Sequence, residues 1–217
     1  DLDFPYEASG TLKDLNNWSG VEIATTGMGQ GIDVTPIQML SAYSVLANGG
    51  VYVSPQIVHS IVHSSGEREY VATSPSRKVV EEQTAREMTH MLASVVARGT
   101  ARDAGVPGYA IAAKTGTARK VQPNGTYEDE EGLYHYASTV VGYFPAAAPE
   151  LSMIVIIDEP TDQFYASETA APLFGDIASW ALRHYKISPS SDLVYSVASQ
   201  NNSNNQIPDG SDSEVVQ

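Results

Sequence analysis

The 217-residue chain has no cysteine, which removes disulfides, thiolate nucleophiles and thiolate-bound zinc or iron–sulfur centres from the chemistry open to it. Positive charge is scarce. Twelve Lys and Arg stand against 26 Asp and Glu, a formal net charge of −14. A chain this acidic repels phosphate backbones, so duplex DNA or RNA is not an expected partner. The longest run of strongly apolar side chains, Met153–Ile157, falls far short of the roughly 20 residues that cross a bilayer. The opening Asp1-Leu2-Asp3 lacks the basic segment of a secretory signal. It also lacks an initiating methionine, which fits a piece of a longer protein. What is present is 42% hydrophobic residues, enough for one sizeable core.

Periodicity and capping signals lay out the elements. Residues up to Gly31 read as irregular, punctuated by Pro5, Gly10, Gly20 and the Gly27/Gly29/Gly31 cluster. Thr35-Pro36-Ile37-Gln38 is a capping box with proline at the first helical position, and Asn48-Gly49-Gly50 supplies the stop. Apolar residues surround this helix, which predicts burial. Val51–Val53 and Ile57–His63 read as a short strand pair. Thr84-Ala85-Arg86-Glu87 is a second capping box, followed by Met88, Met91, Leu92 and Val95 on one face and Gly99 as terminator. Tyr109–Thr117 is a segment of small residues. An excursion over 119–136 with the acidic run Glu128–Glu131 follows. Two strands come next, Thr139–Phe144 and Leu151–Asp158, and then a helix over Pro172–Tyr185 with Leu173, Ile177, Trp180/Ala181 and His184 as its expected core face. Helices segregated from consecutive strands predict an α+β domain with an antiparallel sheet. From Ser188 onward the chain is Ser/Asn-rich and acidic with few large apolars, the composition of a disordered tail. The expected organisation is a folded part over 1–187 and a tail over 188–217.

The sharpest chemical signal is Lys114-Thr115-Gly116-Thr117 at the end of the small-residue segment. The lysine brings fixed positive charge, and the threonine hydroxyls can donate to a carboxylate. Glycine admits a substrate backbone, and the Thr117 N–H can point at a developing oxyanion. A strand edge also pairs with extended peptides. Taken alone the triplet is equally a strand running into a turn.

Several further blocks stand in order along the chain. They are Gly29-Gln30-Gly31-Ile32-Asp33-Val34-Thr35-Pro36-Ile37-Gln38, Leu46-Ala47-Asn48-Gly49-Gly50, Gly99-Thr100-Ala101, Ala112-Ala113-Lys114-Thr115-Gly116-Thr117-Ala118, Val141-Gly142-Tyr143-Phe144-Pro145 and Ala170-Ala171-Pro172-Leu173-Phe174. Together they resemble the C-terminal half of the transpeptidase domain of a class B penicillin-binding protein. The resemblance runs from about Asp1 to Ile187. It implies the penicillin-binding/serine β-lactamase-like fold, an antiparallel sheet flanked by helices, here without its N-terminal part. It implies acyl transfer through a serine ester. The D-Ala–D-Ala amide of a peptidoglycan stem peptide is the donor, and β-lactams mimic that dipeptide. By position, Lys114 holds the protonation state of the site. Thr115, Gly116, Thr117 and Ala118 bind the substrate, and the Thr117 N–H is one oxyanion donor. No cofactor or metal is implied. Implied partners are the stem peptide, β-lactams and proteins of wall synthesis and division. The implied location is the extracytoplasmic face of the bacterial membrane, through an N-terminal anchor that this chain does not contain.

The family's Ser-x-x-Lys nucleophile and its Ser-x-Asn motif both precede the region matched here. The chain holds no Ser-x-x-Lys, and its Ser199-Gln200-Asn201 and Ser203-Asn204-Asn205 lie in the tail, out of order. The chain alone is therefore expected to be inactive. A non-catalytic module that binds peptidoglycan or a division protein is the competing reading, and a carboxypeptidase or β-lactamase shares the Lys-Thr-Gly logic. The remaining patterns read as structure. His59 and His63 sit in strand-like sequence without a third ligand. Gly27-x-Gly29-x-Gly31 follows no clear strand and has no lysine behind it. Asp158-Glu159 reads as a turn before Pro160, and Glu128–Glu131 as a solvated loop face.

Overall fold

A computed structural model describes residues 6–72 and 76–189. The strands β1 (Thr11–Leu12) and β2 (Ile32–Asp33) pair antiparallel around the short helix α1 (Glu22–Gly27), so the stretch expected to be irregular carries regular elements. Helix α2 (Pro36–Ala47) starts as its sequence dictates. Gln38 N–H donates to Thr35 Oγ1 at 3.2 Å, and Thr35 N–H donates to Gln38 Oε1 at 2.9 Å, closing the box. Gln38 Nε2 also donates to the Ser9 carbonyl at 3.0 Å, which ties the leading segment to the helix. The stop at Gly50 requires glycine. Its φ is +91°, and a Cβ there would lie 2.2 Å from the Val80 carbonyl oxygen.

Next come β3 (Val51–Tyr52), β4 (Ser60–Val62), β5 (Arg68–Tyr70) and β6 (Arg77–Lys78). The expected pairing of the first two segments does not occur. β3 pairs with β6 and β4 with β5, each antiparallel, because the Ser64-Ser65-Gly66 turn folds β5 directly back onto β4. Helix α3 (Glu82–Arg98) begins two residues before Thr84 and has no side-chain cap bond, so that capping box is not used. Its buried side is Ala85, Leu92, Ala93 and Val96, while Met91 faces out.

The main sheet is β7 (Ala112–Arg119), β8 (Tyr136–Phe144) and β9 (Leu151–Asp158), antiparallel in the order β7-β8-β9. The register sets Lys114 opposite Val141, Thr117 opposite Ser138 and Val140 opposite Val155. Alternation then divides the sheet into two faces. Ala112 and Tyr143 pack with Leu92 of α3 and with Tyr43, Leu46 and Ala47 of α2. Ala113, Val140, Phe144 and Val155 pack against the helix α4 (Ala170–His184) and Val96 of α3. The result is an α+β layering of helices, sheet and helix, as the sequence predicts.

Helix α4 corrects one expectation. Its core side is Ala171, Phe174, Gly175, Ala178, Leu182 and, as expected, Ala181, whereas Leu173 (43%), Ile177 (38%) and Trp180 (56%) are exposed. The reason is distance. Small residues let the helix approach so closely that a Cβ on Gly175 would lie 2.7 Å from the Asp103 carbonyl oxygen. His184 is likewise outside the core and stacks on Trp180 with ring centroids 4.6 Å apart. The fold closes at Ile187, which is buried and whose carbonyl accepts from the Tyr109 hydroxyl at 2.7 Å. The disorder expected for the tail, and its two Ser-x-Asn matches, lie outside the described residues.

Candidate active site

Strand β7 changes character along its length. Ala112 and Ala113 are buried, while Lys114, Gly116, Thr117, Ala118 and Arg119 are exposed and Thr115 is half-buried. Among the described residues β7 is an edge strand, paired on one side only. The core thus grips the start of the strand and presents its polar continuation to solvent.

The predicted residues come together, but not on one face. Alternation puts Lys114 on the α2 side of the sheet and Thr115 and Thr117 on the α4 side. A ligand that engages all three must run along the strand edge. Lys114 Nζ donates to the Thr115 carbonyl at 2.8 Å. Thr115 Oγ1 lies 2.7 Å from Thr100 Oγ1, just past the end of α3. Thr117 Oγ1 accepts from the Ala166 N–H at 3.1 Å, in the segment before α4. A hydroxyl that only accepts keeps its proton to give, and two paired hydroxyls share one proton and keep the other. The strand therefore offers a cation and two hydroxyl protons to an anionic group. Above Gly116 the space is open, since the nearest atom to an added Cβ is Thr139 Cβ at 4.0 Å.

The exposed end of β7 borders a cleft of ≈ 530 Å³, lined among others by Gly31, Ile32, Thr117, Arg119, Tyr136 and Phe164. Its aromatic wall is built by stacking. Tyr136 and Phe164 lie 4.3 Å apart at 17°, and Tyr165 follows at 4.4 Å. The buried Ser138 hydroxyl donates to the Phe164 carbonyl, pinning the wall to β8. The Arg119 guanidinium sits 4.0 Å over the Tyr134 ring. A smaller cavity of ≈ 240 Å³ between α2, Tyr52 and Arg77 holds no β7 residue.

Two groups in this region were visible in sequence but read only as structure. Gly29–Asp33 lines the cleft opposite Thr117, although some 85 residues of chain separate them. Asp158 ends β9 and Glu159 turns with φ +50°, as expected, but both also pair with Lys120, at 2.9 and 2.6 Å. Their hydrogen bonds push the Lys120 amine above its ordinary value. The aromatic wall was missed altogether, because its members come from β8 and a distant loop. His63 Nε2 lies 3.1 Å from Glu69. Among the described residues no group of three or more His, Asp or Glu side chains is arranged to hold a metal ion.

The match to the penicillin-binding protein transpeptidase domain covers residues 1–179. The chain is 35% identical over 202 residues to "Penicillin-binding protein PbpB" of Mycolicibacterium smegmatis, covering 88% of this chain and 31% of that protein. It is 35% identical over 197 residues to "Stage V sporulation protein D" of Bacillus subtilis, covering 89% of this chain and 30% of that protein. The chain thus spans about a third of the length of these relatives. Among solved structures, penicillin-binding protein 3 of Mycobacterium tuberculosis complexed with aztreonam superposes with a TM-score of 0.79 at 34% identity, covering 88% of this chain and 44% of that one. The same protein has been solved with ampicillin. The ordered sequence blocks, the helix–sheet–helix layering and these matches agree that the chain belongs to the transpeptidase domain family of class B penicillin-binding proteins.

Proposed function

We propose that residues 1–187 are the C-terminal portion of a peptidoglycan D,D-transpeptidase, supplying the substrate-binding strand while a serine outside this chain supplies the nucleophile. The observation that carries this reading is the exposed, edge-positioned end of β7, with Lys114, Thr115 and Thr117 in succession along it and Thr117 lining the adjoining cleft. In the reaction, the D-Ala–D-Ala donor lies extended along β7 and its carboxylate accepts hydrogen bonds from the hydroxyls of Thr115 and Thr117. Gly116 and Ala118 leave room for its backbone. The Lys114 ammonium keeps the nucleophile's surroundings positive, and the Thr117 N–H stabilises the oxyanion as the serine adds to the amide carbonyl. D-Ala departs, and an amine of a neighbouring strand takes the acyl group. β-Lactams enter by the same contacts, a reading supported by the aztreonam and ampicillin complexes of the M. tuberculosis relative. On this reading the protein works on the extracytoplasmic face of the membrane, among proteins of wall synthesis and division.

The test uses the full-length protein and a fluorescent penicillin. Thr115→Val keeps the volume and removes the hydroxyl. Losing a hydrogen bond to a charged group predicts about a 10- to 100-fold slower acylation. Lys114→Ala is expected to cost more. Wild-type acylation by either variant refutes the assignment, and stable labelling of residues 1–217 alone refutes the claim that the nucleophile lies elsewhere.

A further inference from the structure

The excursion between β7 and β8 is fastened by ions. Its large side chains Val121, Tyr127, Leu133 and Tyr134 are all exposed, so no apolar anchor holds it. At its base Lys120 N–H donates to the His135 carbonyl at 2.8 Å, and Lys120 Nζ reaches Asp158 and Glu159 at the end of β9. His135 makes the second tie. Its Nε2 lies 2.9 Å from Asp129 Oδ2, within the excursion, and its Nδ1 lies 3.6 Å from Glu159 Oε2, on the sheet. Asp129 Oδ1 accepts from the N–H groups of Glu131 at 2.9 Å and Leu133 at 2.8 Å, so the carboxylate that holds the histidine also shapes the turn. The groups facing the imidazole are Asp129 from the excursion, Glu159 from the end of β9 and Lys120 from the end of β7, with Asp158 behind Lys120.

We propose that His135 is a positioning residue for the cleft: its imidazolium bridges Asp129 to Glu159 and fastens the excursion to the sheet. What the bridge positions is the side of the cleft made by Tyr127 and by Arg119 on Tyr134. This rests on the cleft being the substrate site. The charge balance supports it. The cluster holds one lysine, paired with Asp158 and Glu159, and a third carboxylate, Asp129, on His135, so a neutral imidazole leaves an uncompensated excess of negative charge, and protonation reduces it. The hydrogen bond to Asp129, helped by the charges of Glu159 and Asp129, holds the His135 pKa above 6.5 against burial and Lys120. The bridge is therefore fully made below pH 6.5 and is lost as the pH rises through that elevated value. The Asp129 carboxyl is held below its ordinary value by His135 and the Leu133 N–H, so at the acid end the bridge outlasts an ordinary carboxylate.

The experiment compares the full-length wild type with His135→Gln and, as a second variant, Asp129→Asn. Penicillin acylation is followed across pH 5.5–8.5, and hydrogen-exchange protection of peptides covering 120–135 is measured at each pH. Wild type is expected to lose acylation rate by about two- to fivefold as the pH rises, the range that an exposed ion pair supports. Protection of 120–135 is expected to fall over the same interval. His135→Gln is expected to sit at the high-pH level of both readouts throughout, and Asp129→Asn to shift the step to lower pH. Protection of 120–135 that does not change with pH in wild type, or is the same in wild type and His135→Gln at every pH, overturns the proposal. A protein that never acylates refutes the transpeptidase reading instead, while the exchange readout still decides whether His135 is the fastening.

Discussion

Two glycines at β7 and its neighbour β8 make opposite predictions. Gly142 of β8 lies opposite Ala113. A Cβ added there would meet the Ala112 carbonyl oxygen at 2.4 Å, Ala113 Cβ at 2.6 Å and Ala113 Cα at 2.9 Å. None of these is the end of a flexible side chain, and all belong to β7 just before Lys114. Ordinary contact begins at 3.4 Å, so Gly142→Ala forces β7 back by about 1 Å. Overpacking of this kind costs about 1–3 kcal/mol. In a domain of this size each kcal/mol lowers Tm by roughly 2–4 °C. The displaced segment leads into Lys114–Thr117, and misplacing catalytic groups by ~1 Å can cost about 100-fold in rate. Gly116→Ala is the counterpart. Its Cβ has room in the fold, and the space it fills is the one that the proposed function gives to a substrate backbone. Its Tm is expected within about 2 °C of wild type, as for a substitution that touches nothing, while acylation falls. Thermal unfolding and stopped-flow penicillin acylation of the full-length protein read both outcomes. The reasoning fails if Gly142→Ala melts and acylates like wild type, or if Gly116→Ala loses as much stability as Gly142→Ala.

Phe174 is fully buried and meets Phe144 edge-on at 5.9 Å. Phe174→Ala should cost about 3–5 kcal/mol in denaturant unfolding, and a loss below 1 kcal/mol would mean that α4 does not pack through this residue. The buried Tyr143 has its hydroxyl 2.7 Å from Thr89 Oγ1. Thr89→Val strands that hydroxyl at a cost of about 1–3 kcal/mol. Tyr143→Phe removes it and leaves Thr89 bonded to the Ala85 carbonyl at 2.8 Å, so it should cost less. The reverse order in thermal melts would refute the pairing.

The sequence by itself determined the local grammar of this protein. Thr35, Pro36 and Gln38 fix where α2 begins because capping bonds form between neighbours, and Asn48-Gly49 stops it because glycine takes the left-handed φ of +61° without strain. The apolar runs of β8 and β9 and the Lys114–Thr117 segment were legible for the same reason, since each is a feature of adjacent residues. Tertiary structure decided whatever depends on partners far along the chain. β3 pairs with β6 rather than with the segment that follows it. α4 turns the side with Phe174, Leu182 and its small residues inward rather than the side with Leu173, Ile177 and Trp180, because close approach over Asp103 outweighs the hydrophobicity of those three. The site divides in the same way. Lys114, Thr115 and Thr117 could be named from their spacing, but not that they leave opposite faces of one edge strand. Nor could sequence show that Gly31, Tyr136 and Phe164 share a cleft with Thr117, or that His135 meets Glu159. Those relations follow from sheet register and loop return, which sequence neighbours do not encode.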